Sequence, residues 1–322
     1  MNAIDVEKSA PQTLIPAVRT KKKKSAMTKG GRIFYITMIA LPLLQFVIFY
    51  IVVNFNSFLM AFQSYDNTGG KAVISYTFDN FAYFFDETIA ADIRLCIGNS
   101  LAYLALNLFV CMPVSLIFSY YVYKNFRFAK LFKIILFLPS IVCSTAMVIF
   151  YKYFVNEALS GVFGGAVIGA TLNPHQQGVL MTFNVLMAFS SNILLYINAM
   201  SQTPEAVVEA AKIDGANELQ TFFHVIVPQI WGTIVSLITI FIAWVAMNQA
   251  YLFTFFGFNT NRVYQTIGYY LFNMVQEGRY TGIALEQMYR KAAALGFMLT
   301  AVIAPLTILV RNLMLKFGSS EN

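Results

Sequence analysis

Apolar residues come in six long runs separated by shorter polar stretches, near 33–55, 97–122, 131–154, 178–200, 229–256 and 292–315. About 20 helical residues cross the hydrocarbon core of a bilayer, so each run is long enough to span one. The first run contains Pro42. It is too long for the apolar part of a secretory signal and lacks a small-residue cleavage site, so it reads as a retained helix. Six crossings would put both termini on the same side. The pattern predicts an all-α membrane protein.

Composition and charge add a direction to that pattern. The chain is 58% hydrophobic and 11% charged, whereas soluble domains carry about a quarter charged residues. Its net charge of +7 is concentrated outside the runs, with four lysines at 21–24 followed by Lys29 and Arg32. The connection between the second and third runs holds Lys124, Arg127, Lys130 and Lys133, and the last run has Arg311 near its end and is followed by Lys316. Basic connections lie on the cytoplasmic side. The first connection is acidic (Asp66, Asp79, Asp86, Glu87, Asp92) and the third is glycine-rich and nearly uncharged, so both belong outside. The fourth connection then falls in the cytoplasm. The fifth does not fit easily, because Arg262, Arg279, Arg290 and Lys291 are assigned outside. Arg290 and Lys291, at a span end, are expected to snorkel towards water.

These boundaries divide the chain into a disordered basic cytoplasmic tail (1–32), a first transmembrane helix (33–62), an extracytoplasmic loop (63–96), a five-helix core (97–316) with a polar loop at 204–228, and a short cytoplasmic tail (317–322). A nucleic-acid partner is disfavoured, since no basic folded domain accompanies the lysine block. Cys96, Cys111 and Cys143 have no CxxC spacing and read as small buried hydrophobes. With only His175 and His224, far apart, no metal site is expected. There is no GxxxxGK[ST] stretch, so this chain should bind no ATP itself. The runs are nearly free of charge, which argues against the buried ionisable groups that ion-coupled transporters need. No catalytic constellation stands at span depth.

The polar loop at 204–228 has a definite grammar. Thr203 is placed to cap a helix that starts with Pro204 and Glu205. Gly215 stands where a left-handed stop is easiest. Asn217 then reads as a second cap, with Gln220 as its capping-box partner, and Pro228 marks the entry to the next run. Small residues at Ala210, Ala211 and Ala216 would let another protein approach closely. The residues alone leave two readings open: an interfacial amphipathic helix with solvated charges, or a docking knob.

Glu209-Ala210-Ala211, Asp214-Gly215-Ala216, Phe222, Ile226 and Pro228 resemble the EAA loop of permease subunits in binding-protein-dependent ABC importers. The fuller run from Pro204 resembles the version in carbohydrate-uptake permeases of the maltose type. The likeness continues as a pattern of spans from about Asn99 to the C-terminus. One departure is Leu219, where many relatives carry Trp. The resemblance implies the type I importer permease fold: six transmembrane helices with a cytoplasmic coupling helix, in a bacterial inner membrane with both termini cytoplasmic. It implies a second permease subunit (a heterodimer), two ATPase subunits that bind ATP and magnesium, and an extracytoplasmic binding protein that delivers a sugar. On it, Glu205, Glu209, Ala210, Ala211, Asp214, Gly215, Ala216 and Pro228 form the ATPase-coupling element.

For the substrate path the residues themselves give candidates. Asn248, Gln249 and Tyr251 on the fifth run could hydrogen-bond hydroxyls and stack on a sugar ring within one turn. Asn198 on the fourth run is a further candidate. Asn184, Asn192, Tyr103 and Asn107 are polar at span depth, where such groups otherwise glue helices together. A polyol or glycerol derivative would suit the same neutral groups, and a secondary transporter is the rival class.

Overall fold

The computed structural model describes residues 29–68, 71–163, 165–169, 173–276 and 281–319. The lysine block at 21–24, the expected disorder of the first 28 residues, Arg279 and the last three residues lie outside them. Contacts divide the chain into two units, Met1–Asn54 and Phe55–Asn322. In the first, residues 29–54 are helical and almost all exposed. Pro42 removes one rung of that helix, and the backbone widens to a π-helix over Phe46–Val52. The candidate span α1, Gly30–Ala61, ends in the second unit.

Among the described residues four helices are long and apolar enough to cross a membrane: α1, α2 (Glu87–Tyr123), α5 (Gln176–Met200) and α11 (Ile283–Ser319). Two bent pairs raise the number to six if each pair is one crossing. The first pair, α3 (Ala129–Ile141) and α4 (Ser144–Ala158), bends by 102° and corrects the single run expected at 131–154. Pro139 lies in the last turn of α3 and Val142 is extended, so the ladder stops there. The second pair, α7 (Glu218–Gln229) and α8 (Trp231–Trp244), bends by 68°. The expected fifth run also ends early: α8 stops at Trp244, residues 245–251 are irregular, and a short α9 (Leu252–Phe256) follows.

Two further elements were not expected. Strands β1 (Gln63–Thr68) and β2 (Lys71–Tyr76) form an antiparallel hairpin in the first connection, with Gln63 opposite Tyr76. Helix α10 (Ile267–Gln276) occupies the fifth connection. The Asn80 amide staples the hairpin to the end of α1 by donating to the carbonyls of Ala61 (3.0 Å) and Gln63 (2.8 Å).

Side-chain hydroxyls and amides join the helices, as lipid-embedded helices require. Ser119 of α2 reaches the Ile193 carbonyl of α5 (3.3 Å), Ser190 of α5 reaches the Leu136 carbonyl of α3 (2.6 Å), and Tyr151 of α4 reaches the Val179 carbonyl (2.9 Å). Asn192 points at Cys111 (3.7 Å) and so acts as glue. Cys96 and Cys111 are buried; Cys143 is exposed at the start of α4, because the bend turns it outward.

Arg290 does not snorkel to water as expected, and Lys291 is only half-exposed. Arg290 is 5% exposed, donates to Glu286 Oε2 (2.8 Å) and lies over the Tyr65 ring (4.8 Å). Lys291 sits 3.8 Å from the centre of the Tyr83 ring, and Arg262 pairs with Asp92 (2.8 Å). Arg262 and Arg290 each have an acid beside them at the same end of the fold. That pairing removes much of the conflict in the charge count.

Candidate functional site

Two sites come out of this frame, an exposed elbow and a cavity. The elbow begins with α6 (Glu205–Ile213), which carries Glu205 in its first turn and Lys212 in its last. Both charges complement the helix dipole. Pro204 occupies the cap position and makes no side-chain cap. Thr203 does not cap it either: it is 9% exposed, and its hydroxyl has no partner among the described residues. Val208 is the residue that turns inward, into a cluster with Tyr120, Tyr196, Met200, Phe222 and Ile226.

The C-terminal stop is a Schellman turn. Ala216 N–H donates to the Ala211 carbonyl (3.0 Å), Gly215 N–H donates to that of Lys212 (3.1 Å), and Gly215 has φ +80°. Asn217 and Gln220 then form the expected capping box, with bonds of 2.8 and 2.9 Å. The elbow is therefore closed at its bend by backbone bonds and restarted by a reciprocal cap.

One fastening had no sequence signal. Glu218 Oε2 accepts from the Tyr120 hydroxyl (2.6 Å) and lies 3.1 Å from Lys124 Nζ, which ties α7 to the end of α2. The Tyr120 bond first, then Lys124, holds the Glu218 carboxyl below its usual range. A second fastening lies beyond Pro228 at the 68° bend, where Trp231 Nε1 donates to the Met314 carbonyl of α11 (3.0 Å).

What remains free is the outer face. Glu205, Glu209, Ala210, Asp214, Gly215 and Pro228 are exposed, while Ala211 and Ala216 are half-buried. The side chains of Glu209 and Asp214 make no ion pair or hydrogen bond with any described residue. Beside them Ile213 is 86% and Leu219 70% exposed. Large apolar groups next to unpaired acids on a small-residue helix make a surface suited to a protein partner.

The cavity has a volume of about 620 Å³ and is lined in part by Asn248, Gln249 and Tyr251. Those three come together as expected, though not on a helical turn. Asn248 Oδ1 accepts from Ala250 N–H (2.8 Å), an Asx turn that competes with the helix ladder. Ala250 (φ 51°) and Tyr251 (φ 59°) are both left-handed, a strained setting for L-residues held by tertiary contacts. Three contacts hold it: the Asn184 amide donates to the Ala250 carbonyl (3.2 Å), the Thr266 hydroxyl donates to the Asn248 carbonyl (2.7 Å), and Gly268 of α10 packs on the backbone of Met247 and Asn248.

Within the cavity the Gln249 amide and the Tyr251 hydroxyl have no hydrogen bond to described residues, and Tyr251 lies edge-on to Phe183 at 5.3 Å. Asn107 lines it too, its amide donating to the Tyr103 carbonyl while its buried Oδ1 has no partner among the described residues. None of the lining residues is charged. The arrangement offers amides, a phenol and aromatic faces to a neutral hydroxylated solute. Asn198 does not belong to it: it is exposed and 14 residues from Asn184 on the same helix, roughly 21 Å along α5. Among the described residues no three His, Cys, Asp or Glu side chains gather as a metal site would require.

Comparison with known proteins places the whole arrangement. Residues 97–318 match the family described as binding-protein-dependent transport system inner membrane component. The chain is 24% identical over 208 residues to the arabinooligosaccharides transport system permease protein AraP of Bacillus subtilis, covering 61% of this chain and 64% of that one, less than two thirds of its length. It is 23% identical to the polygalacturonan/rhamnogalacturonan transport system permease protein YteP of the same organism, over 97% of each. A match to the sn-glycerol-3-phosphate permease protein UgpA of Pectobacterium atrosepticum reaches 28% over 45% of this chain and 49% of that one. The fold is similar to a chain in the crystal structure of a bacterial ABC transporter involved in import of the acidic polysaccharide alginate, with TM-score 0.69, 18% identity, and 88% and 96% of the two chains covered.

Proposed function

The chain belongs to the inner-membrane components of binding-protein-dependent transport systems, and on that premise we propose that it is the permease subunit of an ATP-driven importer of a sugar or oligosaccharide. The observation that carries this reading is the elbow, with Glu209 and Asp214 unpaired on an exposed face whose bend and restart are both capped. The chain is the non-catalytic part of the assembly. A second permease subunit completes the pathway, two ATPase subunits hold ATP and magnesium on the side of the elbow, and an extracytoplasmic binding protein delivers the solute to the other side. Both termini are cytoplasmic in this arrangement.

α6 seats in a groove of one ATPase, where Glu205, Glu209 and Asp214 take charge-assisted hydrogen bonds and Ala210, Ala211 and Ala216 allow close approach. Gly215 sets the bend, and Pro228 leads into the crossing. Closure of the ATPases moves the elbow, and ATP and loaded binding protein must bind the outward-open state better than the inward-open one for the equilibrium to shift. In the cavity Gln249, Tyr251, Asn248 and Asn107 hydrogen-bond solute hydroxyls. The uncharged lining favours a neutral saccharide over a phosphorylated or acidic solute, the class named for the arabinooligosaccharide relative, whereas the polygalacturonan relative and the alginate importer are named for acidic saccharides.

The test is purification of the tagged full chain in mild detergent, followed by reconstitution. The reading expects an ATPase and a second permease to co-purify, and ATP-dependent uptake of labelled oligosaccharide that needs a binding protein. A chain that purifies alone, or that drives uptake with a proton gradient and no ATPase, sinks it.

A further inference from the structure

The connection between α2 and α3 carries more positive charge than the described acids around it neutralise. From Ile93 to Asn156 there is no Asp or Glu, yet this connection holds Lys124, Arg127, Lys130 and Lys133. Glu218 takes up Lys124, and Arg127 lies over the Phe128 ring at 5.3 Å. Lys130 and Lys133 are exposed and pair with no acid among the described residues.

These two lysines line a cavity of about 310 Å³ together with Asn125, Tyr123 and Ser201, where α2, α3 and the end of α5 meet. The start of α3 opens at the same place. Its cap residue Phe128 is left-handed and supplies no side-chain bond; Ala129 N–H turns back to the Phe126 carbonyl (2.9 Å), and the N–H groups of Lys130 and Leu131 remain at the positive end of the helix. The other surface of α3 is apolar. Leu131, Ile134, Ile135, Leu138 and Ile141 are each more than half exposed and follow helical spacing. From Leu131 to Ile141 the helix rises roughly 15 Å, about the depth of one leaflet of hydrocarbon.

A ligand that matches this surface is anionic at one end and apolar over one leaflet. We propose that the cavity seats the headgroup phosphate of an anionic phospholipid, with its acyl chains along α3. Solvated lysines that merely set topology would need neither the cavity nor the adjoining apolar stripe. The site lies at the end of the fold that carries the elbow, since Lys124, at the end of α2, bonds Glu218. The proposal rests on the membrane family alone and is independent of the solute.

The experiment uses the full chain purified in detergent and titrated with dioleoylphosphatidylglycerol or dioleoylphosphatidylcholine, with bound lipid counted by native mass spectrometry. The anionic lipid should bind with preference, and a K130Q/K133Q variant should bind it about 30-fold more weakly, at about 1 kcal/mol per lysine. A K130R/K133R variant should keep the preference, which separates lost charge from lost folding, and Lys152→Gln should leave it unchanged. Equal binding of the two lipids overturns the proposal. So does displacement of the anionic lipid by millimolar inorganic phosphate, which would make the cavity a site for free phosphate. If K130Q/K133Q keeps the lipid but sheds a protein from the purified assembly, the surface belongs to that protein instead.

Discussion

Replacing Gly268 by alanine should damage the cavity from behind, without altering the side chain of any residue that lines it. A Cβ there would lie 2.6 Å from the carbonyl carbon of Met247 and 2.8 Å from the carbonyl oxygens of Met247 and Asn248. All three are backbone atoms, so no side chain can swing aside. Ordinary contact begins at 3.4 Å, so α10 and the 245–251 segment must part by roughly 0.8 Å. Overpacking of this kind costs about 1–3 kcal/mol. The shift also stretches the Thr266 bond to Asn248, a further loss of about 0.5–1.5 kcal/mol. The segment that moves holds Asn248, Gln249 and Tyr251, and Ala250 and Tyr251 keep their left-handed backbone only while packed. Thermal unfolding in detergent and uptake in proteoliposomes both read the effect. The expected result is a lower melting temperature and a raised KM for uptake, with the protein still inserted. Gly296→Ala is the control, because nothing lies within 4 Å of its added Cβ. If Gly268→Ala melts and transports like the parent while Gly296→Ala does too, the reasoning about this wall is wrong.

Other outcomes follow from the elbow and the cavity. Gly215→Val places a β-branched residue at φ +80°, a strain of about 1–2 kcal/mol; insertion should persist while uptake collapses relative to ATP hydrolysis, and wild-type uptake would contradict the coupling role. Glu218→Gln should flatten the acid side of the stability profile. The parent's carboxyl is depressed below 4.5, so its anchoring is complete above that pH and disappears as pH falls through the lowered value. Because the side chain is 50% exposed the effect should stay under about 1 kcal/mol, and melting curves at stepped pH measure it. Gln249→Leu should raise the uptake KM several-fold with little change in kcat, as expected for a lost ground-state hydrogen bond of about 0.5–1.5 kcal/mol; an unchanged KM removes Gln249 from the path.

The features legible in the sequence were those written in local chemistry. Gly215, Asn217 and Gln220 state their own conformations, and each was found in it. Runs of apolar residues located the long helices, although α2 begins at Glu87 and α11 at Ile283, well before the expected 97 and 292, and long-range contacts overrule the ladder elsewhere. The end of α8 is such a place. Nothing in Asn248-Gln249-Ala250-Tyr251 announces a left-handed pair, because Asn184, Thr266 and Gly268 impose it from 18 to 66 residues away. The bend after α3 had a local sign in Pro139, but apolar continuity on both sides concealed it. Thr203 looked like a cap and is buried, since Val208 and its cluster draw that end of α6 inward. Arg290 was expected at water and is buried, because Glu286, one turn earlier on the same helix, and Tyr65, which only the folded hairpin brings near, give it partners. Asn198 lies away from the cavity for a simpler reason: sharing a helix with Asn184 does not place two side chains at one depth.

The elbow has more than one root. Tyr120 and Lys124 grip it from α2, Met200 at the foot of α5 packs against it, and α8, which continues from it, is bonded through Trp231 to the far end of α11. A partner that takes hold of this one short handle therefore grasps four crossings together, and displacement there is shared among them instead of bending a single helix.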